Sequence, residues 1–196
     1  MLDRQRFPLI RLLALVLLTA LSGSAPTVAL TTGTTTAKGK AAVDAVVWLD
    51  APDAPRTQTR GAVLEQRNLQ FFPRVLAVQV GTSVKFPNDD RVLHNVFSYH
   101  DGKPFDLGLY PVGEVKNRAF DTPGLSRIFC NIHSQMAAYV MVLETPYFAV
   151  SDNEGRFTLR DVPAGTYRYH AWRPGGSILN DVVEIKAGTS IAVRWP

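Results

Sequence analysis

Apolar and polar residues alternate in short runs along most of this chain, and turn residues interrupt them at intervals of about ten. Residues 42–49 form the first predicted strand, with Val43, Val47 and Leu49 on one face. Residues 50–60 carry Pro52 and Pro55 among polar side chains and read as a loop. Residues 61–90 hold two or three strands. One ends at Pro73, one runs over 76–80 into the Gly81-Thr82 turn, and one over 83–86 turns Val84 and Phe86 inward before Pro87-Asn88-Asp89-Asp90. Further strands are predicted over 93–97, 115–120, 127–130 and 138–143, with a polar loop at 98–106, a short apolar piece at 107–110 and turns at 111–114 and 122–124. The same texture continues on a smaller scale over 148–150, 156–159, 166–172, 182–185 and 191–193. No segment sustains a helical period. Many short strands with regular turns mean an antiparallel sandwich or barrel.

The N-terminus follows a different pattern. Arg4, Arg6 and Arg11 precede a ten-residue apolar run over 12–21, and small residues follow. This is the layout of an export signal, and the run is too short to span a bilayer as a helix. Cleavage after Ala29 fits, so residues 1–29 are assigned to a signal peptide; an uncleaved anchor is the alternative. No transmembrane anchor is expected once the signal is cut. Residues 30–40, rich in Thr, Gly and Lys, read as a flexible lead-in. Residues 41–145 then form a first unit and residues 146–196 a smaller β unit.

Composition narrows the function classes. The chain has 196 residues, 46% of them hydrophobic and 19% charged, which is ample for a core and unlike a disordered protein. The net charge of +4 overstates the mature protein, because removing residues 1–29 takes away a net two positive charges and leaves about +2. No Lys/Arg block is interleaved with aromatics, which argues against nucleic acid as a partner. Hydrolase-type motifs and phosphate-cradling glycine loops are absent.

One short stretch carries chemistry. Cys130-x-x-His133-x-x-Met136 holds the only cysteine, one of four histidines and one of three methionines. A single cysteine in an exported chain cannot form an internal disulfide, and metal ligation would protect its thiol. Taken singly, a Cys or a Met is ordinarily core filler. Thiolate, imidazole and thioether this close together suit copper, and His94 is the best candidate for a second imidazole. Two imidazoles and a thiolate with a long axial thioether make the blue-copper electron-transfer site. Zinc is the alternative ion. His100 lies in a polar turn, His170 alternates with aromatics in the terminal unit, and Met141 sits within a strand, so all three are weaker candidates. Nucleophilic catalysis by Cys130 with His133 lacks an orienting acid or an oxyanion loop, so no enzyme is expected. A dinuclear copper centre would need a second cysteine.

These residues also resemble a family. Phe72-Pro73, Leu76, Val78, Gly81, Val84, Phe86, Asn88, His94-Asn95 and Cys130-x-x-His133-x-x-Met136 are similar to the cupredoxins, nearest the plastocyanin and amicyanin branch. The likeness covers about residues 61–145. It implies a Greek-key β-sandwich with His94, Cys130 and His133 in the copper plane and Met136 axial. It also implies that Asn95 ties the two ligand loops together and that His133 is the more exposed imidazole and the electron port. Ser134-Gln135 departs from the apolar residues expected between His and Met. The ends resemble a transthyretin-like, carboxypeptidase-regulatory β unit, through residues 44–49, Ser151-Asp-x-x-Gly-x-Phe157 and Val162-Pro-x-Gly-x-Tyr167. That unit either pairs with strand 42–49 or follows in plain tandem.

The functional expectation is an all-β, periplasmic or otherwise exported carrier. It would hold one type 1 copper and pass single electrons between transient redox partner proteins. The alternative is a copper-binding delivery or storage protein with the same ligands.

Overall fold

The computed structural model describes residues 27–36, 40–99 and 103–196. The described residues form sixteen β-strands and no helix. They are β1 (Thr27–Thr36), β2 (Val46–Leu49), β3 (Glu65–Arg67), β4 (Gln70–Phe72), β5 (Val75–Gln79), β6 (Thr82–Pro87), β7 (His94–Ser98) and β8 (Phe105–Tyr110). There follow β9 (Val115–Phe120), β10 (Gly124–Phe129), β11 (Ala137–Leu143), β12 (Phe148–Val150), β13 (Arg156–Pro163), β14 (Gly165–Trp172), β15 (Leu179–Ile185) and β16 (Ala192–Trp195).

The first unit is built on a five-stranded sheet in the order β5-β11-β10-β7-β8, with the β6–β9 and β3–β4 pairs. Its core holds Leu64, Phe71, Val78, Val84, Phe86, Val96, Tyr110, Ile128, Val140 and Val142, together with Cys130 and Met136. Val84 and Phe86 do point inward, as the alternation requires. Residues 61–90 hold four strands rather than two or three. The extra one comes from the tight β3–β4 hairpin, whose tip residues Asn68 and Leu69 both take positive φ. That is the backbone a two-residue hairpin needs, but the Asn-Leu pair lacks the glycine that signals it.

β11 is apolar on both faces, and the structure explains why. Ala138, Val140 and Val142 enter the first core, while Met141 and Leu143 face away from it. The outward set packs with Val46, Val75, Ala77 and Trp172 in a second apolar layer. A strand covered on both sides loses its polar alternation.

The second unit has two sheets, β12-β2-β14-β15 and β13-β1-β16, around Val47, Leu49, Phe157, Leu159, Ile185, Val193 and Trp195. β2 belongs here. It pairs antiparallel with β12 and β14, so the first unit lies between strands that share a sheet. Of the two arrangements expected for the terminal unit, pairing with strand 42–49 is the one observed, so that strand lies in this sheet although it falls within the range 41–145. Its start is corrected: the strand begins at Val46, because Asp44 takes positive φ, and Val43 is exposed.

The expected lead-in at 30–40 also differs. Residues 30–36 belong to β1, which pairs antiparallel with β13 and parallel with β16. The run of threonines is β-branched and favours a strand once partners exist. Most of the expected signal peptide lies outside the described residues, and the expected cut after Ala29 falls within β1. No helix among the described residues is long and apolar enough to cross a membrane.

Candidate metal centre

The site sits at one end of the first unit. β10 ends at Phe129, and the next residue, Cys130, starts the turn that returns as β11. The turn is closed by its own backbone: Met136 N–H donates to the His133 carbonyl at 2.9 Å, and Cys130 N–H donates to the Met136 carbonyl at 3.4 Å. Antiparallel pairing of β10 with β11 fixes both ends of it. His94 opens β7, which neighbours β10 in the sheet. A short loop and an adjacent strand start are thereby brought to one point.

Three side chains converge there. The ligand atoms of His94, Cys130 and His133 all lie within 4.8 Å of one another. Cys130 Sγ is 3.9 Å from His94 Nδ1 and 3.7 Å from His133 Nδ1, and the two Nδ1 atoms are 3.1 Å apart. On a first-row ion with nitrogen at about 2.0–2.1 Å and sulfur at about 2.3 Å, ligands about 120° apart would put S and N ~3.8 Å from each other. The observed separations fit one shared ion. His94 and Cys130 are buried, and His133 is half-buried. Met136 is buried in the same core as Cys130.

Two acids that the sequence pattern left in loops support this cluster. Asp90 Oδ2 lies 3.0 Å from His94 Nε2, so the ring turns its Nδ1 toward Cys130. Desolvation pushes the Asp90 carboxyl up. Donation from the Leu69 amide, His94 and the Arg91 amide outweighs it, and the pKa is held down to about 2. Asp106 Oδ1 accepts from Asn95 Nδ2 at 2.6 Å, and Asn95 Oδ1 accepts from Asn131 N–H at 3.3 Å. Asn95 thus links the His94 strand to the turn holding Cys130. A carboxylate four residues before a histidine was the one sequence signal for Asp90, and it was hidden in a run that also reads as a plain turn.

The remaining candidates lie elsewhere. His170 is stacked on Trp48 in the second unit and lies 3.0 Å from Asp50 Oδ1. Met141 packs between the units. His100 falls outside the described residues.

Comparison with known proteins adds three findings. A family model described as polysaccharide lyase family 4, domain II, matches residues 137–193. This description differs from the transthyretin-like resemblance of the terminal unit. No curated protein matches the chain. Among solved structures, the chain is similar to a purple cupredoxin from Nitrosopumilus maritimus. That match has 26% identity over 42% of this chain and 99% of the other, with a TM-score of 0.39. It is also similar to a copper-containing nitrite reductase from Thermus scotoductus SA-01, at 25% identity over 49% of this chain and a TM-score of 0.42. The chain spans only 25% of that reductase. Amicyanin from Paracoccus versutus matches at 18% identity over 50% of this chain and 97% of its own, with a TM-score of 0.39.

Proposed function

We propose that the protein is an exported type 1 copper protein that passes single electrons between redox partners. One observation carries this: a buried thiol and two imidazole Nδ1 atoms meet in one place, with spacings that fit a single small ion. The donor set is soft enough for Cu(I) and keeps nitrogen for Cu(II). Copper bound there would supply a one-electron couple.

The chain's own residues have four tasks. Cys130 must give up its proton for the sulfur to ligate, so loading releases a proton and weakens as pH falls. His94 is sealed from solvent and held from behind by Asp90. Met136, the pairing of β10 with β7 and β11, and the Asn95 link keep the ligands in one arrangement, so a change of charge needs little movement. His133 is the half-buried imidazole, and the neighbouring Ile132 and Leu93 expose apolar side chains beside the ligands in sequence. Those surfaces suit brief docking of a partner protein.

Voltammetry of the copper-loaded protein tests the proposal. A reversible one-electron couple is expected, with copper retained against a competing chelator. Ready loss of copper and no reversible couple would instead fit delivery or storage.

A further inference from the structure

Asp90 stands in an unusual position. Its Oδ2 accepts from the Leu69 amide at 2.7 Å and lies 3.0 Å from His94 Nε2, and its Oδ1 accepts from the Arg91 amide at 2.8 Å. The side chain is only 10% exposed, and the His94 side chain is fully buried. Each carboxyl oxygen accepts from a backbone amide, which can only donate, and this favours the ionised carboxylate. The turn that carries it is strapped down as well. Asp90 N–H donates to Asn88 Oδ1, and Asp89 N–H donates to the Gln66 carbonyl of β3. The Leu69 amide reaches Asp90 because the β3–β4 hairpin turns through positive φ at Asn68 and Leu69.

We infer that Asp90, braced by the tip of the β3–β4 hairpin, is a positioning residue for His94: it fixes the ring with its proton on Nε2 and its Nδ1 lone pair toward Cys130, and its charge favours the more oxidised ion at the site. The inference rests on the copper reading for its second half only. The physical basis for the first half is that a histidine's free nitrogen is set by the bond its other nitrogen makes. The basis for the second is that a fixed anion behind a ligand, in a buried place, favours the higher positive charge in front of it.

Two measurements test the halves separately. In the metal-free protein, nitrogen-15 shifts of the His94 ring are expected to report the Nε2–H tautomer, and Asp90→Leu is expected to mix the tautomers. An Nδ1–H tautomer in the wild type, or no change in the variant, would overturn the positioning role whether or not the protein takes copper. In the copper-loaded protein, Asp90→Asn is the informative change, because the amide oxygen can keep the Leu69 and His94 bonds while the charge is lost. The Cu(II)-to-Cu(I) affinity ratio is expected to fall about tenfold, a rise of about 59 mV in a one-electron potential. Asp89→Asn removes a like charge from an exposed neighbour that the structure does not bond to His94, and is expected to move the potential far less. Equal shifts in the two variants would overturn the electrostatic role. A wild type with no copper couple at all would count against the proposed function and leave the tautomer result standing.

Discussion

Cys130 is the residue without which the centre loses its sulfur. Serine has nearly the same shape, so Cys130→Ser is expected to fold with little loss of stability and to remove the thiolate-derived visible band entirely, as read from an absorption spectrum of the copper-loaded variant. Asn95 behaves differently. Asn95→Ala would remove two part-buried hydrogen bonds, to the Asn131 amide and the Asp106 carboxylate, both on exposed residues, at a cost of about 1 kcal/mol by urea unfolding of the metal-free protein. Asp90 adds a pH dependence. Its folded-state pKa lies below its ordinary value, so its contribution to stability is fully present above about pH 4 and is lost as pH falls toward about 2. In metal-free protein the stability advantage of wild type over Asp90→Asn is expected to shrink across that window. At this scale the sequence was most informative where the signal was local. The three-residue spacings of Cys130, His133 and Met136 survive in any alignment of strand and turn. Asp106 could not be found that way: only the bulge between Asn95 and Phe97 in the β7–β8 pairing brings it to Asn95.

Strands carried most of their identity in the alternation. β6 and β9 fall within a residue of the positions the alternation predicts, whereas β11 and β12, which do not alternate, were placed by their apolar runs between turn residues. The misses have a common physical origin, which is dependence on distant partners. β1 is a strand because β13 and β16 flank it, and β2 changes units because β12 and β14 are its neighbours. Neither fact is written in residues 27–49. A single serine helps hold β2 in place. Ser151 Oγ accepts from Ala45 N–H at 2.9 Å and donates to the Ala42 carbonyl at 2.6 Å, both across more than a hundred residues of chain. Ser151→Ala is therefore expected to destabilise the protein by about 1–3 kcal/mol, measured by denaturant unfolding, without altering the copper spectrum.

The whole molecule consists of two cores joined by a third apolar layer, in which Trp172 packs edge-on against Tyr139 at 5.3 Å. A cavity of about 560 Å³ lies beside this layer, lined by Trp48, Trp172, Leu125 and Met141. It lies toward the start of β10 and the end of β11, and the metal centre lies at their other ends. Trp172→Ala is expected to cost about 3–5 kcal/mol and to split thermal unfolding into two transitions, observable by calorimetry. An all-β architecture was legible from the absence of any helical period. The interleaving of the two units was one of two arrangements the sequence allowed, through the likeness shared by residues 44–49 and the terminal unit; choosing between them needed the pairing of β2 with β12 and β14.

The most direct test of the central claim is an absorption spectrum of the purified protein with one equivalent of Cu(II). A single sulfur and two imidazoles on one ion predict an intense visible band, blue or shifted toward green, that disappears on reduction and returns on oxidation. A colourless complex, with copper bound but no band of that strength, would contradict it.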